Sequence, residues 1–78
     1  MDWSAVSLPS GSKLFRVHYF TFLHAGSNYV IEVNEFADGT FSGHGEHAND
    51  KNLQIEPVNG KNVEECLNGI VKKIENRP

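Results

Sequence analysis

The sequence of 78 residues has little of several features that define large protein classes. With a single cysteine, Cys66, the chain cannot form an internal disulfide, which excludes a small disulfide-stabilised secreted scaffold. An excess of positive charge is also lacking, because ten acidic and seven basic residues give a net charge of −3, which disfavours nucleic-acid binding. No apolar run approaches the roughly 20 residues of a membrane span, and the first residues lack a signal-peptide pattern. We therefore expect a cytoplasmic protein without a membrane partner.

The length allows one small domain and no second one. Residues 1–12 contain Pro9, Gly11 and several serines without sustained periodicity, which predicts a flexible leader, and residues 13–78 are expected to form a single α+β domain. Trp3 is the only aromatic residue of this leader. Its expected role is a loose contact with the body of the protein or a partial lid on it.

Residues 13–24 predict a long first strand, because they are rich in aromatic and β-branched residues and contain neither glycine nor proline. Both of its faces are apolar. One face carries Phe15, Val17, Tyr19 and Leu23, and the other carries Leu14, Phe20 and Phe22 with Arg16, His18 and His24. Since one helix can cover only one face, we expect Phe20 and Phe22 to lie on the face away from the helix. The Trp3 leader or a second subunit would then shield them.

After a turn at residues 25–28, a second strand is predicted at residues 29–36, followed by the Asp38-Gly39 reversal. A two-residue loop there would place His44 on the apolar face of the second strand. A three-residue loop, closed by Gly39 with a positive φ, instead pairs Val33 with Gly43 and Glu32 with His44. The second arrangement keeps the apolar face apolar and is the one we expect.

A fourth short strand is predicted at residues 52–58, where Pro57 marks its end or an edge position. The clearest pattern is a helix that Asn62 can cap, with apolar residues at helical spacing. These apolar residues are Val63, Cys66, Leu67, Ile70, Val71 and Ile74. The predicted fold is therefore α+β, an antiparallel sheet of three to four strands in the order β-β-β-β-α with one C-terminal amphipathic helix on one face. The expected core comprises Val17, Ile31, Val33, Leu67, Ile70 and Ile74, and close helix packing is expected at Gly43, Gly45 and Gly69.

Two classes of function fit these patterns. The first is a non-catalytic module that binds a partner protein or a second copy through the sheet face bearing Phe20 and Phe22, with Trp3 and Arg16 beside them. The alternative is a small ligand- or metal-binding protein that uses His18, Glu32, His44 and Glu46 on the outer face, although cross-strand pairing of Glu32 with His44 explains two of these residues more simply. Cys66 lies on the apolar stripe of the helix and is expected to be a core residue. No nucleophile and base can be placed together, so we expect neither an enzyme nor a cofactor.

Three segments resemble the N-terminal domain of HicB-type antitoxins. They are residues 29–32 (YVIE), residues 38–41 (DGTF) and residues 60–67 (GKNVEECL). The resemblance spans residues 29–75. It implies a small acidic protein that dimerises or covers a partner protein, for example a toxin with a basic RNA-binding face. The chain departs from the family in its longer segment between Phe41 and Gly60 and in having no DNA-binding motif after the helix, so operator binding is not implied.

Overall fold

The computed structural model describes residues 2–76. These residues form a four-stranded antiparallel sheet with one α-helix on one face, which confirms the expected α+β fold and the order β-β-β-β-α. The elements are β1 (Phe15–His24), β2 (Ser27–Phe36), β3 (Phe41–His47), β4 (Gln54–Gly60) and α1 (Val63–Glu75). The strands lie in the sheet in chain order, so β1 and β4 are its two edges. Within residues 2–76, no helix has the length and apolar character needed to cross a lipid bilayer.

The hairpin between β2 and β3 has the predicted three-residue loop. The amide of Phe36 donates to the carbonyl of Thr40 at 2.9 Å, the amide of Gly39 donates to the carbonyl of Phe36 at 3.0 Å, and Gly39 has a φ of +91°. The resulting register pairs Val33 with Gly43 and Glu32 with His44, as predicted. Hydrogen bonds from Thr40 to the Asp38 carboxylate stabilise the loop and lower the pKa of Asp38 from its ordinary value.

The hairpin between β1 and β2 is tighter than the predicted turn at residues 25–28. Ala25 and Gly26 alone form the loop, both with positive φ values of 50° and 79°, so the strands are paired up to His24 and Ser27. A two-residue loop with two positive φ values is the hairpin turn whose twist matches the flanking strands. In the resulting register, Phe20 lies opposite Ile31.

This register shows that the predicted faces of β1 are wrong. Phe20 and Phe22 lie on the helix side of the sheet and pack against the core, whereas Val17 lies on the opposite face and is only half-buried. The physical reason is the position of α1, which packs mainly on β4 and β3 and reaches β1 least. The polar residues Arg16 and His18 can therefore share the helix side with Phe20 without being buried under the helix.

β4 begins two residues later than predicted and continues to Gly60. Pro57 lies inside this edge strand, where the missing N–H costs no hydrogen bond to β3. The register between β3 and β4 shifts between Gly43 and Gly45, which lie opposite Val58 and Ile55 respectively. The local irregularity accommodates the proline and bends the edge.

The core lies between α1 and the sheet. Asn62 caps the helix as predicted, since its side chain accepts the amide of Glu65 at 2.8 Å. The buried apolar residues are Ile31, Val33, Ile55, Cys66, Ile70 and Ile74. Four of the six predicted core residues are among them, and Leu67 is half-buried and packs against this core. An added Cβ at Gly45 would lie 3.0 Å from Ile70, and one at Gly43 would lie 3.2 Å from it, so these glycines allow the close helix packing that the sequence predicts.

Residues 2–12 contain one short ordered feature, a 3-10 turn at Trp3–Ala5. Asp2 caps it by accepting the amide and the hydroxyl of Ser4. The backbone of this turn does not approach any strand or α1. Trp3 is half-buried there, and Phe20 and Phe22, which it was expected to shield, lie on the helix side of the sheet.

Candidate interaction surface

The sheet face opposite α1, here called the outer face, carries the most exposed aromatic and aliphatic side chains of the sheet. From β1 it includes Tyr19 and Leu23, each 68% exposed, and Phe15, which is 44% exposed. Their ladder partners on β2 are Glu32, Asn28 and Phe36. The outer face is therefore a mixed surface in which Tyr19 and Leu23 lie beside polar residues of β2, while Phe15 packs against Phe36 with ring centroids 5.2 Å apart.

β1 also presents unpaired backbone groups along its free side, here called the open edge. The amide of Phe36 donates to the carbonyl of Thr40, and the amide of Ala48 donates to the carbonyl of Asn28. Both bonds show that even-numbered residues of β2 direct their backbone groups toward β3, so odd-numbered ones direct theirs toward β1. Their partners on β1 are even-numbered. The N–H and C=O groups that point away from the sheet therefore belong to Phe15, Val17, Tyr19, Thr21 and Leu23.

The two edges of the sheet differ in how well they are protected against further pairing. β4 is seven residues long, contains Pro57 and an irregular register, and carries Glu56, whose carboxylate lies 3.5 Å from the ammonium group of Lys73. β1 is ten residues long, continuous and without proline, and Arg16 is its only Lys, Arg, Asp or Glu. Proline, bulges and charged side chains are the features that prevent sheet edges from associating. Only β4 has them.

The polar part of the outer face forms a shallow depression of about 490 Å³. Glu32, His44 and Glu46 line it together with Tyr19. His44 Nε2 lies 3.3 Å from the hydroxyl of Ser42. Nearby, Asn34 is only 7% exposed, and its Oδ1 has no hydrogen-bond partner among residues 2–76.

The proposed metal or ligand cluster is divided between the two faces. His18 lies opposite Val33 on the helix side, where its Nε2 is 2.9 Å from a carboxylate oxygen of Glu35, whereas Glu32 and His44 pair on the outer face. The prediction that His18 belongs to the outer face is therefore wrong, for the same reason that Val17 was misplaced. Across residues 2–76, no three His, Cys, Asp or Glu side chains converge in a way that could hold a metal ion.

Three of the four residues predicted to bind a partner, Arg16, Phe20 and Phe22, lie on the helix side of β1. Phe22 is half-buried on the helix side, where its ring stacks on His24 with centroids 5.5 Å apart. Phe20 packs against the core. Arg16 is exposed near the start of β1, and Trp3 is half-buried in the turn at Trp3–Ala5, whose backbone does not approach the strands.

Tyr19 and Leu23 are the exposed residues that the sequence reasoning missed. They could have been identified from the loop between β1 and β2, by whether it has an even or an odd number of residues. A loop with an even number of residues places even-numbered residues of β1 beside odd-numbered residues of β2. Because Ile31 faces the helix, either a two-residue or a four-residue loop sends Tyr19 to the outer face.

Comparison with known proteins adds no relative. No family model, no curated protein and no solved structure matches this chain.

Proposed function

We propose that this chain is a non-catalytic interaction module that binds another protein chain through β1. The observation that carries the proposal is the exposure of Phe15, Tyr19 and Leu23 on one side of a single strand. Side chains of this size are normally buried, and full burial of one of them is worth about 1.5–3 kcal/mol.

The surroundings of these side chains have the composition of a protein interface. Tyr19 lies opposite Glu32, and Glu32 lies opposite His44, so an apolar strip adjoins a polar one. Aromatic residues at the centre and polar residues at the rim are typical of surfaces that bind proteins. Tyr19 has the side-chain type that most often dominates binding energy when a partner covers it.

The resemblance to HicB-type antitoxins suggests one kind of partner, a basic protein, with which a chain of net charge −3 would be electrostatically compatible. A cytoplasmic location is part of the same proposal. It is supported by the chain's single cysteine, a buried thiol that forms no disulfide.

The proposal can be tested by photo-crosslinking in cells of the source organism. A photoreactive phenylalanine analogue replaces Tyr19, and in a matched control it replaces Asn59, which is exposed on β4. We expect a discrete crosslinked adduct from position 19 and none from position 59. Added wild-type protein should suppress the adduct, and a Tyr19→Ser, Leu23→Ser protein should do so at least about tenfold less effectively.

A crosslinked second copy of this chain counts as a partner in this experiment, and mass spectrometry of the adduct identifies it. Equal labelling from positions 19 and 59 would mean that β1 has no special binding role. Absence of any adduct, together with a monomeric protein at high concentration, would refute the proposed function.

A further inference from the structure

We infer that the partner of β1 is a second copy of this chain, bound by antiparallel pairing of the two open edges into one continuous eight-stranded sheet. This inference rests on the proposed function, because it names the partner for the same strand. A two-fold axis normal to the sheet, midway between the two β1 strands, would place both helices on the same side.

The open edge supplies the hydrogen bonds for such a pair. The backbone groups of five alternate residues, from Phe15 to Leu23, point away from the sheet. Two copies related by a two-fold axis midway between their Tyr19 residues would exchange about ten backbone hydrogen bonds, two for each pair of opposing residues. The protected β4 edge offers no comparable continuous row, since Pro57 interrupts it.

The side chains of the outer face match in this register. Tyr19 lies opposite Tyr19 of the partner subunit, Val17 opposite Thr21 of the partner subunit, and Phe15 opposite Leu23 of the partner subunit. Aromatic and β-branched residues form favourable cross-strand pairs. Tyr19 and Leu23, whose ladder partners on β2 are the polar Glu32 and Asn28, would each gain an apolar or aromatic neighbour, and Phe15 would gain a second one beside Phe36.

The surroundings of Arg16 favour this register over pairing centred on Phe20. Pairing centred on Tyr19 places Arg16 opposite Phe22 of the partner subunit, where a guanidinium group can lie against a phenyl ring. Pairing centred on Phe20 would instead place Arg16 opposite His24 of the partner subunit and lose that contact. No acidic residue occurs in β1, so neither register gives Arg16 an ion pair within the two strands.

The accessible surface of the chain is 5573 Å², whereas a compact monomer of 8.7 kDa normally has about 4,700 Å². Residues 4–16 are all exposed, so the extended leader contributes to this excess together with the open edge and the exposed side chains of β1. It contributes likewise to the radius of gyration, 14.2 Å, which exceeds the roughly 11.5 Å of a compact chain of this length.

Sedimentation velocity over a wide concentration range tests the inference with three variants. Thr21→Pro removes an outward N–H that β2 does not use, Thr21→Val keeps that N–H as the matched control, and Val30→Lys alters the outer face away from the edge. We expect a wild-type dimer. Its dissociation constant should rise on the order of a hundredfold or more in Thr21→Pro, and it should be unchanged in Thr21→Val and Val30→Lys.

A dimer that survives Thr21→Pro but is lost in Val30→Lys would overturn edge pairing and indicate face-to-face association, which leaves the proposed function standing. A monomeric wild-type protein that still crosslinks a different protein through position 19 would overturn only the inference about a second copy.

A measurement on the wild-type protein covers the case in which Thr21→Pro does not fold. In a mixture of isotope-labelled and unlabelled chains, edge pairing predicts an intermolecular Hα–Hα contact between His18 and Phe20 of the partner subunit. The amides of Val17, Tyr19 and Thr21 should exchange with solvent slowly in the dimer and rapidly on dilution. Fast exchange of these amides at all concentrations, or the absence of the intermolecular contact in a dimer, would overturn the inference.

Discussion

Replacing Gly69 by alanine tests how closely α1 packs against β4. Gly69 lies within the helix, where alanine is favoured over glycine by about 1 kcal/mol. An ideal Cβ at this position would, however, lie 2.6 Å from Cγ1 of Val58 and 3.3 Å from its Cγ2. Val58 is β-branched and has a restricted χ1 angle. An alanine at position 69 can therefore avoid this close contact only if Val58 adopts an unfavourable rotamer or α1 moves away from the sheet.

The two effects have opposite signs, and their magnitudes decide the outcome. Overpacking of this kind costs about 1–3 kcal/mol, against a helix-propensity gain of about 1 kcal/mol. We expect Gly69→Ala to lower the free energy of unfolding by about 0–2 kcal/mol. In a domain of this size each kcal/mol lowers the Tm by roughly 4–8 °C.

Thermal and urea unfolding of four variants provides the measurement. Asn68→Ala, at an exposed position of the same helix, should raise the free energy of unfolding by up to about 0.7 kcal/mol, because it raises the helix propensity without creating a contact with the sheet. In a Val58→Ala background, Gly69→Ala should reverse its sign and stabilise by about 1 kcal/mol. If Gly69→Ala raised stability by that amount in the wild-type protein, α1 could not lie against Val58 as described.

Two further predictions concern the core. Ile70→Ala should lower the free energy of unfolding by about 2–5 kcal/mol. Ile70 is fully buried, and its side chain lies 3.2 Å and 3.0 Å from the positions that a Cβ atom would occupy at Gly43 and Gly45. An unchanged Tm would contradict this packing. Burial raises the pKa of the Cys66 thiol, so alkylation by iodoacetamide at mildly alkaline pH should be much slower in the native protein than in denaturant, since the thiolate is the reactive form. Equal rates would show that Cys66 is accessible in the folded state.

The helix and the second hairpin could be predicted because their determinants are local. Apolar residues recur at helical spacing from Val63 to Ile74, and only one face of such a helix can be buried. The loop before β3 was selected by a similarly local argument. Gly39 adopts the positive φ that the three-residue loop requires, and this loop keeps Val33 opposite Gly43.

The face of β1 could not be chosen from its own residues. Both parities are apolar, so periodicity gave no preference, and Phe20 and Phe22 were expected on the face that a single helix leaves uncovered. That expectation assumed that α1 covers every side chain of β1 on the helix side. The tertiary structure shows that α1 packs mainly on β3 and β4, which allows His18 to lie on the helix side, paired with Glu35 and partly exposed.

The sequence by itself determined the fold class, the helix, the register of the second hairpin and most of the core, because hydrophobic periodicity and turn chemistry act over a few residues. Only the tertiary structure decided how little of β1 the helix covers, that His18 pairs with Glu35 on the helix side, and that the two sheet edges differ in protection. These features depend on where a 13-residue helix lies across a four-stranded sheet. That position is set by close contacts between residues far apart in the chain, such as Gly69 with Val58 and Ile70 with Gly45, which no local pattern specifies.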